Sequence, residues 1–161
     1  MSRYDGFADI VGKTVDAVYF NVNRGLLALV TSDGATHVYE AEGDCCANAY
    51  FEAPEQAGFD QIVGHEVTAC EKRDGGDFDG GDEVNSITFY SIKTARGMAD
   101  VEMRVSHNGY YGGMVVQSAV VVESLGPPAW KLLAGQRRCI KHDDCRANRG
   151  LGIACAQAVR P

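Results

Sequence analysis

The chain has 161 residues and a formal charge of −7, with 45% apolar and 23% charged residues. That length is about one domain's worth, and the apolar content is enough for a core, which excludes wholesale disorder. No stretch approaches the roughly 20 apolar residues of a membrane-spanning helix, and the opening Met-Ser-Arg-Tyr-Asp-Gly lacks the pattern of a signal peptide.

The 19 glycines predict many tight turns and few long helices, and strand-like periodicity dominates as far as residue 123. Thr14–Phe20 is β-branched and aromatic, as strands are. Gly25–Thr31 is a nearly continuous apolar run, expected of a central strand covered on both faces. Ser32-Asp33-Gly34-Ala35 supplies a hairpin turn, and Thr36–Ala41 returns as the next strand. Residues 47–64 read as the one helical interlude. Pro54 suits a first helical turn, Glu55 the positive end of the dipole and Gly64 a C-terminal stop, with Ala57, Ile62 and Val63 facing the core. His65–Glu71 reads as a strand, and Asp74–Asn85 as a solvated Gly/Asp-rich loop.

The next stretch carries the clearest pattern. Ser86–Thr94 and Met98–Ser106 flank the turn Ala95-Arg96-Gly97. In the second strand Ala99, Val101, Met103 and Val105 alternate with Asp100, Glu102 and Arg104, giving one apolar and one polar face. His107–Gly113 turns the chain again, and Met114–Glu123 is a valine-rich strand. Gly126-Pro127-Pro128 marks a boundary, after which Ala129–Ala134 is expected as a helical turn with Trp130 packed inward. Asp144–Val159 reads as a small-residue helix. The expected fold is β-rich α+β: a mostly antiparallel sheet of about seven strands, one inserted short helix and a helical C-terminal tail. Residues 1–125 form the body, and residues 126–161 a tail too short for a core of its own, packed on that body.

Charge divides along the same line. Residues 1–125 hold 20 acidic against 8 basic side chains, a balance of −12, whereas residues 126–161 hold 2 against 7, a balance of +5. The acidic body argues against direct nucleic-acid binding, which relies on cations that release counterions from phosphate. The basic tail is expected to dock on the body, while the acidic surface suits the basic groove of a nucleic-acid-handling protein. Six cysteines without an export signal are expected as reduced thiols in a cytosol.

Several constellations carry candidate chemistry. In Asp44-Cys45-Cys46 the thiols are candidates for a nucleophile, a metal-ligand pair or a redox switch. Asp44 and Glu42 oppose ionisation, a helix starting near Ala47 would favour it, and the alternative is two thiols packed as small apolar groups. Asn108–Gly113 places Tyr110 and Tyr111 on a glycine-flanked tip, suited to recognition by stacking and hydroxyl contacts, or to ordinary turn formation. Glu102 and Arg104 share a strand face beside Asp100, a possible acid–base set or an ordinary ion pair. Asp74–Glu83 lacks the residue order of a calcium-binding EF-hand loop. In the tail, Cys139, His142, Cys145 and Cys155 offer four soft ligands within 17 residues, a candidate zinc site although the spacing matches no standard finger. No other cofactor is expected. His37 and His65 read as ordinary sheet residues.

Two motifs exceed what folding alone requires: Glu42-Gly43-Asp44-Cys45-Cys46, and Asp100–Arg104 leading into Asn108–Gly113. With a Val-Gly-Lys-Thr start at residues 11–14, the chain resembles a family of small uncharacterised proteins common in bacteriophage genomes. That family carries an EGDCC stretch, a threonine/glycine hairpin, an IEFR-like strand and an NGYYGG turn. The resemblance covers residues 9–123 and leaves the tail unexplained. Departures fall at Ala47 and at Val105-Ser106-His107, where the family more often has serine and a polar run. The resemblance implies phage or prophage origin, a small β-rich domain and no catalytic assignment. The resulting expectation is a non-enzymatic accessory protein in the host cytoplasm that binds a host or phage protein, for instance an antiviral-defence component, as anti-CRISPR proteins do. Its contact residues would be Asp44, Cys45, Cys46, Glu102, Arg104, Asn108, Tyr110 and Tyr111. Alternatives are a module sequestering a small molecule such as a nucleotide signal, a virion decoration protein, and an enzyme using Cys45 or Cys46.

Overall fold

The computed structural model describes residues 5–79, 84–107, 112–118 and 124–135. Nine strands are present among them: β1 (Val15–Asn21), β2 (Leu26–Thr31), β3 (Thr36–Gly43), β4 (Asn48–Glu52), β5 (Val67–Asp79), β6 (Val84–Thr94), β7 (Met98–His107), β8 (Gly113–Gln117) and β9 (Trp130–Gly135). They form a five-stranded sheet in the order β8-β3-β2-β1-β9 and a four-stranded sheet in the order β4-β7-β6-β5. Every strand pairing is antiparallel.

The main core joins both sheets. Val18, Leu27, Leu29, Tyr39 and Val115 from the first meet Phe51, Ile92, Val101, Met103 and Val105 from the second. The alternating pattern of β7 places its apolar face here, with burial alternating along the strand. β2 is buried at all six positions because its opposite face enters a second cluster, where Ala28 and Val30 meet Tyr19, Leu125 and Trp130. The central-strand reading of that apolar run therefore matches its position in the sheet.

The expectation of one mostly antiparallel sheet of about seven strands with an inserted short helix is corrected, as is the helical tail over its described part, which ends at Gly135. The described residues contain two sheets and no α-helix, only three 3-10 turns. Within residues 47–64, Asn48–Glu52 is the edge strand β4, registered against β7 from Asn48↔Ser106 to Glu52↔Glu102. Ala49 and Phe51 turn toward the core while Asn48, Tyr50 and Glu52 face outward, and this period of two outweighed the helix signals. Pro54 does open a helical turn, but it is a 3-10 turn of three residues, and Gly58 at φ +85° separates it from a second such turn at Phe59–Gln61. Ile62 is nevertheless buried in the core, with Ala57 and Val63 packed against it.

The expected loop at Asp74–Asn85 is largely the β5–β6 ladder, which continues as far as Asp79↔Val84. Gly75 and Gly76 sit in a bulge of that ladder: a Cβ on Gly75 would lie 2.7 Å from the Phe89 ring, and Gly76 has φ +90°. The expected helical turn at Ala129–Ala134 is β9, which completes the first sheet by pairing with β1. The expected helix at Asp144–Val159 lies outside the described residues.

Two connections hold the sheets together. The amides of Gly6 and Gly12 donate to the carbonyls of Val115 on β8 and Val67 on β5, so residues 5–13 strap the first sheet to the second. Residues 53–66 do likewise elsewhere, where the Asp100 amide donates to the Ala57 carbonyl and the Gly64 amide to the Val15 carbonyl.

Candidate functional site

The β3–β4 corner is built from glycine outward. Gly43 pairs with Gly113 and Glu42 with Met114, so the end of β3 lies against the start of β8. A Cβ on Gly43 would come within 2.4 Å of the Ala47 carbonyl oxygen, and one on Gly113 within 2.8 Å of the Val105 side chain. Glycine is required at both positions by this close approach. One residue further, the Asp44 amide donates to the Gly112 carbonyl at 2.9 Å. The Gly112 amide returns a bond to Asp44 Oδ2 at 3.1 Å. This reciprocal pair joins the Glu42–Cys46 motif directly to the end of the Asn108–Gly113 motif.

The Ala47 amide then donates to the Asp44 carbonyl at 2.8 Å, closing a four-residue turn with Cys45 and Cys46 at its two corners. Both thiols are exposed, and their sulfurs lie 3.9 Å apart. They are not packed as small apolar groups. Nor does a helix begin at Ala47, since the chain enters β4; the helix dipole that would have favoured a thiolate is missing from this turn. Adjacent cysteines diverge in an extended segment, whereas the corner positions of this turn bring the two sulfurs together.

Glu102 and Arg104 lie on the outward face of β7 and bond each other, Arg104 Nε to Glu102 Oε1, at 2.7 Å. The register sets Glu102 opposite Glu52 and Arg104 opposite Tyr50 on β4. Asp100 accepts from the Ser91 hydroxyl and from Arg73 Nη2, the latter at 3.3 Å. Each carboxylate of the considered acid–base pair thus has a partner of its own, the arrangement of a structural ion pair on a strand face. Asn108, Tyr110 and Tyr111 lie outside the described residues, as do Cys139, His142, Cys145 and Cys155. Among the described residues, no group of three or more His, Cys, Asp or Glu side chains could hold a metal ion.

The polar cluster beneath the N-terminal strap was not anticipated. Asp9 accepts from the Tyr39 hydroxyl at 2.6 Å and from Gln117 Nε2 at 2.7 Å, with His37 Nδ1 at 3.6 Å. His37 Nε2 in turn lies 3.3 Å from Thr31 Oγ1. Asp9, His37 and Thr31 follow the order of a carboxylate, base and hydroxyl nucleophile. Thr31 is completely buried and its hydroxyl donates to Asp33, so a substrate carbonyl has no approach to it. Ser86 Oγ lies 2.7 Å from Nε2 of buried His107, giving that imidazole a partner. A shallow cleft of about 120 Å³ beside the strap is lined by residues including Asp5, Phe7, Cys70, Lys72 and Tyr90. Burial pushes the Cys70 thiol up to about 11, with the Asp9 charge adding to the effect. The local signal for this cluster was Asp5-Gly6-Phe7-Ala8-Asp9, a run that sets a carboxylate two residues to either side of an aromatic ring.

No helix among the described residues is long and apolar enough to cross a membrane. Residues 8–117 match the family model described as a domain of unknown function (DUF7448), a span that includes β1 to β8 and leaves β9 outside. No curated protein and no solved structure matches the chain.

Proposed function

Because the chain belongs to the DUF7448 family of domains of unknown function, we propose a function from the surface it builds: it binds another protein through the β3–β4 corner, without making or breaking bonds. The observation that supports this reading is the reciprocal Asp44–Gly112 pair, which ties the exposed Asp44-Cys45-Cys46 turn to the start of β8. Folding does not require exposed thiols, yet Cys45 and Cys46 stand there in solvent. Glycines packed against backbone preorganise the corner, which lowers the ordering cost of association. The resemblance of these motifs to phage-encoded domains makes a host antiviral-defence component the class of target and the host cytoplasm the place of action. The acidic body favours a target with a basic groove.

Cysteine chemistry supplies the test. In a chain with Cys139, Cys145 and Cys155 replaced by serine, a thiol-directed photo-crosslinker is attached at Cys45 or Cys46 and activated in host lysate. One abundant adduct, identified by mass spectrometry and weakened in Asp44→Ala, is the expected result. A scatter of unrelated adducts, unchanged by Asp44→Ala, overturns the reading.

A further inference from the structure

We propose that Cys45 and Cys46 form a two-thiolate site for a thiophilic divalent cation of the zinc class. The separation of their sulfurs is 3.9 Å. Two thiolates on one tetrahedral zinc, each at about 2.3 Å, lie roughly 3.8 Å apart. The turn therefore holds the two sulfurs at the edge length of a tetrahedron. The backbone bonds of Asp44 and Ala47 fix that turn before any ion arrives.

The competing fate of two neighbouring thiols fits less well. A disulfide needs its sulfurs about 2.05 Å apart and its Cα atoms about 4.4 to 6.8 Å apart. Adjacent residues across a trans peptide have Cα atoms only about 3.8 Å apart. Charge points the same way: Glu42 and Asp44 precede the pair in a chain of formal charge −7, a setting that attracts cations and repels anionic disulfides such as oxidised glutathione. Binding replaces two S–H bonds by two metal–sulfur bonds and releases two protons, so affinity rises with pH. No third protein ligand joins the pair among the described residues. The site stands on this geometry alone and does not depend on the protein-binding reading.

Cobalt serves as the probe, because thiolate-to-cobalt charge transfer reports the number of bound thiolates. The full chain carrying Cys139, Cys145 and Cys155 as serine is titrated with cobalt and then with zinc. The expected result is one cobalt per chain, a band of two-thiolate intensity and its loss on adding zinc. The band falls to half or less in Cys45→Ser and in Cys46→Ser, and vanishes in the double variant. Circular dichroism checks that each variant stays folded. In the chain with its tail cysteines intact, the same double substitution removes the same two-thiolate increment. A band that survives loss of both cysteines, or no band at stoichiometric cobalt in the tail-substituted chain, overturns the proposal.

Discussion

Phe7 stands edge-on to Tyr39, with ring centroids 4.5 Å apart, and the residues two before and two after it each accept a tyrosine hydroxyl. Asp5 takes the bond from Tyr90 and Asp9 the bond from Tyr39, both at 2.6 Å. Tyr90 lies on β6 and Tyr39 on β3, so this five-residue segment joins the two sheets by alternating polar and apolar contacts. Withdrawal from water, reinforced by the carboxylate beside each hydroxyl, raises both tyrosines well above the ordinary phenol range.

Phe7 is 2% exposed, so its removal leaves a cavity in the main core. Phe7→Ala is expected to cost about 3 to 5 kcal/mol. Phe7→Leu, which keeps most of the volume, should cost less than about 1.5 kcal/mol. Urea unfolding followed by fluorescence measures both; equal, small losses would show that the strap contributes little to the fold.

Asp9 gives the strap an acid-sensitive component. Burial alone raises its pKa, but His37 and the Tyr39 hydroxyl outweigh burial and hold it below the ordinary 3.8. A folded value below the unfolded one means that the folded state binds fewer protons there. The stabilisation is therefore present above pH 3.8 and is lost as the pH falls through the depressed value. Asp9→Asn should be less stable than the parent at pH 7, and the difference should shrink when urea midpoints are compared near pH 3.

Gly43→Ala tests the tightness of the corner. Its new methyl would meet a backbone carbonyl oxygen at 2.4 Å, a neighbour that cannot rotate away. The expected loss is about 1 to 3 kcal/mol in thermal or urea unfolding. Asp44→Ala, which removes one hydrogen bond at an exposed position, should cost about 1 kcal/mol or less.

The thiols should separate by reactivity. Cys70 is half-buried and donates to the Phe7 carbonyl at 3.4 Å. With its pKa at about 11, roughly one Cys70 in a thousand is ionised at pH 8. Brief iodoacetamide treatment followed by peptide mapping should label Cys45 and Cys46 well before Cys70. Equal labelling of all three would place Cys70 in a looser environment than the strap provides.

What the sequence determined by itself was local periodicity. The alternation from Met98 to Ser106 and the apolar run from Leu26 to Thr31 depend only on how side chains distribute along a strand, so both strands were legible before any partner was known. The turn at Ser32–Ala35 was legible because Gly34 takes the positive φ, +88°, that glycine tolerates, whereas the turn at Ala95–Gly97 forms without a positive φ at Gly97. The tertiary structure decided whatever depends on a distant partner. Residues 48–52 are a strand because β7 offers them a register, and Gly75 is tolerated in β5 because Phe89 fills the space of its missing side chain. The strap buries Phe7 because two sheets meet around it. Cys45 and Cys46 converge because Gly112, 68 residues beyond Asp44 along the chain, anchors the backbone from which their turn departs.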